Sequence, residues 1–135
     1  MEILIAVGIM MVLLTISLPF TLNFYRRYQL DSERSTALTI MREARTMSMA
    51  GDGSADHGVH IASSQYTLFE GQSYAARNQA KDQTFGRSTN VTVTGGTDIL
   101  FKYLTGKSSS ASFTFDNGVK TSFIYVNTEG RIDWQ

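Results

Sequence analysis

Ile3 to Phe20 reads ILIAVGIMMVLLTISLPF and contains no charged residue. As a helix it would be about 27 Å long, close to the roughly 30 Å hydrocarbon core of a bilayer. The pattern therefore predicts a membrane-spanning helix. A helix buried inside the protein is the competing reading. The residues left after position 50 are too few to wrap a helix that is apolar all round. A cleaved secretory signal is the other. Such signals have a basic start, a shorter apolar run and a small-residue cleavage site. Here Glu2 precedes the run and Pro19-Phe20 ends it.

The pattern then changes period. From Asn23 to Ala50 there is no Pro and no Gly, and polar residues alternate with Leu30, Ala37, Leu38, Met41, Ala44, Met47 and Met49. Steps of seven, four and three from Leu30 through Ala37 and Met41 to Ala44 make one apolar stripe. Arg34, Arg42 and Glu43 fall largely off it. Gly51 and Gly53 supply a stop. One helix over residues 2–50 is expected, about 70 Å long if continuous. Pro19 interrupts it, because its ring clashes with the carbonyl of Thr15 and it donates no backbone hydrogen bond. A helix kink is expected there, with Thr15 and Ser17 sheltering the freed backbone groups in lipid.

Beyond Gly53 the pattern is that of strands. His57 to Ile61 and Tyr66 to Phe69 are short β-rich runs separated by Ser63-Ser64-Gln65, which predicts a hairpin. Gly71 to Phe85 is unpatterned and reads as a long loop or edge excursion. Asn90 to Thr94 alternates, Gly95-Gly96 turns, and Ile99 to Tyr103 follows. Ser112 to Phe115 alternates before Asp116-Asn117-Gly118, and Val119 to Val126 makes the longest strand. Asn-Gly between two alternating runs is the strongest short-range hairpin signal. Arg131 to Trp134 closes the chain. Phe113, Phe115, Phe123, Tyr125 and Trp134 are the expected aromatic core. The fold class is α+β: a long N-terminal helix packed on a small antiparallel sheet. Three segments follow: 1–22, the apolar helix half; 23–50, the amphipathic half; and 51–135, the sheet domain.

Length and composition narrow the function. With 135 residues there is room for one domain. Twelve Lys+Arg balance twelve Asp+Glu, unlike the basic excess of a general nucleic-acid binder. There is no cysteine, which excludes a disulfide scaffold, a zinc ribbon and a thiol nucleophile.

Few residues carry candidate chemistry. Glu2 stands at the mouth of the apolar run. An acid that must enter a bilayer unpaired is costly and is a functional suspect. It can equally sit among headgroups and favour the positive end of the helix dipole. Arg26 and Arg27 flank the other end, which the positive-inside rule would place in the cytoplasm. Asp52, Asp56, His57 and His60 form an acid-imidazole group, but the spacing matches no calcium loop or zinc site, and no metal is expected. There is no Gly-x-Ser-x-Gly elbow and no phosphate-binding glycine loop. No enzyme and no cofactor are expected. Asn90-Val91-Thr92 is a glycosylation sequon of the kind that occurs by chance.

The N-terminal residues Met1-Glu2-Ile3-Leu4-Ile5-Ala6-Val7-Gly8-Ile9-Met10 resemble the signature of type IV pilins and type II secretion pseudopilins, usually Phe-Thr-Leu-x-Glu before an apolar run. Pro19 matches a proline common in that family's helix. Gly58-Val59-His60-Ile61, Tyr66-Thr67-Leu68-Phe69, Ile99-Leu100-Phe101 and Gly130-Arg131-Ile132 are similar to the GspH/FimT branch of minor pilins. Aligned on Glu2, Met1 falls at the fourth mature position, so three residues and the basic prepilin leader are missing. A leader supplied upstream would hold the N-terminus in the cytoplasm and resolve the conflict with Arg26 and Arg27.

The resemblance implies a role for Glu2: pairing with the free N-terminal amine of a neighbouring subunit during assembly. It also implies processing by a prepilin peptidase, N-methylation, and other pilin or pseudopilin subunits as partners. The inner membrane would hold the subunit before assembly, single-pass, with the C-terminal domain extracytoplasmic. Some FimT-like relatives bind DNA through a Gly-Arg-x-Arg stretch. Here Asp133 stands where the second Arg would be, and residues 51–135 carry seven bases against eight acids. Phosphate binding needs clustered cations, so DNA is not expected as a partner. The expected function is a structural subunit of a pilus or pseudopilus. The alternatives are the major subunit of a filament and a membrane-anchored binding module.

Overall fold

The computed structural model describes residues 2–135, apart from the side chains of 16–21 inside the first helix. That helix, α1, runs from Glu2 to Ala50. Eight strands follow: β1 (His57–Ile61), β2 (Gln65–Glu70), β3 (Gln83–Gly86), β4 (Thr92–Gly95), β5 (Asp98–Phe101), β6 (Ala111–Asp116), β7 (Thr121–Val126) and β8 (Ile132–Trp134). The class is α+β with antiparallel pairing throughout. The kink expected at Pro19 lies outside the described residues.

Helix α1 ends where the glycines predicted. Gly51 adopts φ +74°, in the left-handed region that a side chain disfavours. The Ser48 carbonyl, left without an intrahelical partner there, accepts from the backbone N–H of Gly51 and of Leu104. The Ser48 hydroxyl adds two buried bonds. It donates to the Phe101 carbonyl at 3.0 Å and accepts from the His57 N–H at 3.0 Å. One serine thus fastens the helix end to both β1 and β5.

The strands form two sheets, where the pattern predicted one. The first has the order β3-β2-β1-β5 and the second β4-β6-β7-β8. The division arises at Gly95-Gly96. Instead of folding β5 back on β4, the chain crosses to the first sheet, where Ile99 lies opposite Val59. Gly95 sits at φ +116°, with space for no Cβ against the Ser112 carbonyl. The predicted β1–β2 hairpin is present, with Val59 opposite Leu68. So is the β6–β7 hairpin, turned by Asn117, whose side-chain oxygen accepts from the N–H groups of Val119 and Lys120. The excursion after Gly71 returns as edge strand β3, with Phe85 opposite Tyr66.

The core lies between the helix stripe and both sheets. Leu30, Ala37, Met41 and Ala44 are fully buried, as their spacing predicts, with Leu38 and Ile40 beside them. Val59, Tyr66, Ile99 and Phe101 meet them from the first sheet, and Phe113, Phe115, Ile124 and Val126 from the second. Three expected core aromatics are elsewhere: Phe123, Tyr125 and Trp134 are about half exposed. Along β7 the residues alternate between faces, so Ser122, Ile124 and Val126 point inward and Phe123 and Tyr125 outward. Ser122 is tolerated inside because it donates to the Gln135 carbonyl and accepts from Arg34. Trp134 lies under the Arg34 guanidinium, 4.3 Å from its ring centre.

Candidate functional site

The two halves of α1 differ in what they touch. From Leu30 onward the stripe is packed. Before that, the described residues of 2–15 and 22–28 are exposed on every side of the helix. Ile3 is 80% exposed, and Ile5, Ile9, Met10, Leu13 and Leu14 are each more than half exposed. Isolated apolar side chains on a surface are ordinary; a contiguous apolar surface of this extent marks an interaction site. Glu2 lies in the first turn of this bare segment and is exposed. Among the described residues it has no side-chain partner.

Among the described residues, no helix is long and apolar enough to cross a membrane. The run Ile3 to Phe20 includes positions whose side chains are outside that description.

The acid-imidazole group after the helix is dispersed by the fold. Asp56 accepts from Lys102 Nζ and from the Tyr103 N–H, each at 2.8 Å. Burial tends to raise its carboxyl; those two donors outweigh burial and hold it below the usual carboxylate range. His60 pairs with Asp98 at 2.6 Å and stacks on Tyr74 at 3.7 Å between ring centres. His57 faces the opposite side of β1 and is buried. Asp52 lies in a short turn after α1. No group of three or more metal-ligating side chains occurs among the described residues.

Two buried polar clusters escaped the sequence reading. His57 Nε2 lies 3.9 Å from Glu70, which Lys81 holds at 2.7 Å. Neither imidazole nitrogen has a hydrogen-bond partner among the described residues. A cavity of about 350 Å³ opens there, lined in part by Met47, His57, Phe69 and Glu70. The β1–β2 register, which sets His57 opposite Glu70, was the available signal. In the second cluster, Glu33 interrupts the apolar stripe of α1 and is nearly buried. It accepts from the Ser88 N–H at 3.3 Å and lies near Tyr66 and Arg87. Burial pushes the Tyr66 phenol well above its usual range, and the Glu33 carboxylate pushes it the same way. Arg87 ties the turn after β1 to the segment before β4 by donating to the carbonyls of Ala62 and Val91, both at 2.6 Å.

The closing stretch is also placed. Gly130 forms a left-handed turn at φ +72°, and Arg131 pairs with Asp133 at 3.0 Å. The acid that breaks the basic pattern therefore engages the remaining arginine.

Comparison with protein-family models, with curated proteins and with solved structures finds no match for this chain.

Proposed function

We propose that this chain is a pilin-like structural subunit that assembles through its N-terminal helix into a type IV pilus or a type II secretion pseudopilus. The observation that carries the proposal is the asymmetry of α1. Its second half is packed against the chain's own sheets, and the described apolar side chains of its first half are exposed on every face of the helix. Such a surface is at home in a bilayer or among equivalent helices. A subunit moving from the first environment to the second needs both.

Glu2 gives the transfer a direction. A carboxylate held in a low-dielectric setting without a partner costs several kcal/mol. The N-terminal ammonium of an adjacent subunit removes that cost. Gly8, with nothing within 4 Å of a built Cβ, leaves room for a neighbouring helix to approach closely. The work is assembly rather than catalysis. The resemblance favours a minor subunit of the GspH/FimT kind, processed by a prepilin peptidase and held in the inner membrane before assembly.

A second reading, a membrane-anchored binding module, draws on Phe123 and Tyr125, which stand side by side and half exposed on the outer face of the second sheet. Cross-linking separates the two. The cysteine-free chain accepts a single Val7→Cys change as a clean probe. In native membranes the assembly reading expects helix-to-helix cross-links that Glu2→Ala abolishes while the sheet domain stays folded. Cross-linking that is absent, or unaffected by Glu2→Ala, favours the anchored module.

A further inference from the structure

We infer that Phe24 to Tyr28 form a collar that seats in the headgroup layer of a membrane and selects anionic phospholipid. The inference rests on the proposed membrane-inserted helix and adds its depth and its lipid preference.

Three observations carry it. First, Phe24, Tyr25 and Tyr28 are 74%, 61% and 68% exposed, and Arg26 and Arg27 between them are exposed as well. Five consecutive helical residues at about 100° each cover the whole circumference. A partner helix would be met by a stripe on one side. A ring of aromatic and basic side chains suits a surface that surrounds the helix, and the lipid–water interface is such a surface.

Second, the position fits. The rise from Ile3 to Asn23 is about 30 Å, the thickness of the hydrocarbon core. With Ile3 at the start of the hydrocarbon core, Phe24 therefore falls at the headgroup layer on the far side.

Third, the charge is unspent and a seat lies beside it. Neither Arg26 nor Arg27 has a side-chain partner among the described residues. The next acid along the helix, Asp31, is already engaged by Lys120 at 2.8 Å. A groove of about 420 Å³ opens against the collar, with Leu22 and Tyr25 on its lining and Arg26, Gln29, Asn90 and Asn117 completing it. Along the helix the lining passes from an aliphatic residue at Leu22 to a cation and amides. A phospholipid has that same order, from acyl chain to phosphate. Two surface cations favour an anionic surface by up to about thirtyfold.

The test uses the full chain in vesicles of phosphatidylcholine with a minority of phosphatidylglycerol. A polarity-sensitive dye is placed at Leu13→Cys or at Asn23→Cys, and nitroxide-labelled lipids quench it. Expected is stronger quenching by acyl-chain nitroxide at 13 and by headgroup nitroxide at 23. The headgroup quenching at 23 should rise with phosphatidylglycerol and lose that dependence in the R26Q/R27Q variant. Deep quenching at 13 with position 23 in water or in the acyl region overturns the collar and leaves the inserted helix standing. Headgroup quenching at 23 that ignores phosphatidylglycerol overturns the anionic preference. Absence of quenching at both positions overturns the collar together with the membrane reading beneath it.

Discussion

The side-chain amide of Asn117 donates to the backbone carbonyl of Arg26 at 2.6 Å. This bond, from the β6–β7 turn, marks where α1 leaves the folded domain. The Lys120–Asp31 pair follows about one helical turn later. Before these contacts the described side chains of the helix are exposed; after them its apolar stripe is packed. Surface pairs of this kind contribute little to global stability, of order 0–1 kcal/mol. The double variant Asn117→Ala/Lys120→Ala should therefore barely change the melting temperature. Amide exchange around residues 26–31 should accelerate, while that of 37–48 stays slow. Uniform exchange across both segments would show that the turn does not hold the helix.

Ser48 is the opposite case. Its hydroxyl is buried and satisfies a donor and an acceptor on two different strands. Ser48→Ala leaves the His57 N–H and the Phe101 carbonyl with a lost partner each. The expected cost is about 1–3 kcal/mol in denaturant unfolding. A neutral result would mean that water replaces the hydroxyl at the helix end.

Gly130→Ala and Gly118→Ala form a matched pair. Both glycines sit at positive φ, +72° and +76°. A Cβ at Gly118 meets nothing within 4 Å, whereas one at Gly130 strikes the Gly106 carbonyl. Gly118→Ala should cost about 1 kcal/mol from backbone conformation alone. Gly130→Ala should cost clearly more, and thermal unfolding of the two variants checks the order. Equal losses would show that the Gly106 contact yields at no cost.

Asp56 makes stability depend on pH. Its folded-state carboxyl lies below the ordinary range, so the unfolded chain takes up its proton first on acidification. The contribution is complete above the unfolded carboxylate value and is lost as pH falls through the lower folded value. Asp56→Asn should lower stability at neutral pH and flatten this part of the acid limb. An unchanged acid limb would place the dependence in other carboxylates.

Much of the fold was legible in the sequence, for a physical reason in each case. The heptad-like spacing of Leu30, Ala37, Met41 and Ala44 defines one face of a helix, and that face is the one buried. The Asn117-Gly118 turn has few alternatives. Less legible was the fate of Phe123 and Tyr125. In a strand, which of two alternating sets faces inward depends on its partners, and Ser122, Ile124 and Val126 won because the core contacts and the Gln135 and Arg34 bonds lie on their side. The division into two sheets was hidden in Gly95-Gly96, which reads locally as a hairpin turn. Within the candidate site, the bare apolar run and Glu2 stood out at once. The His57–Glu70–Lys81 and Glu33–Tyr66–Arg87 clusters did not, because their members come together only through strand register and helix docking.

Assembly through the N-terminal helix requires a processed terminus, which the mass of the native N-terminal peptide from an envelope fraction reveals. A leaderless, N-methylated terminus three residues upstream of Met1 is expected, which makes Glu2 the fifth residue. An intact Met1, or a long unprocessed leader, would contradict it: the first sets the amine one residue before Glu2 instead of four, and the second carries it far upstream.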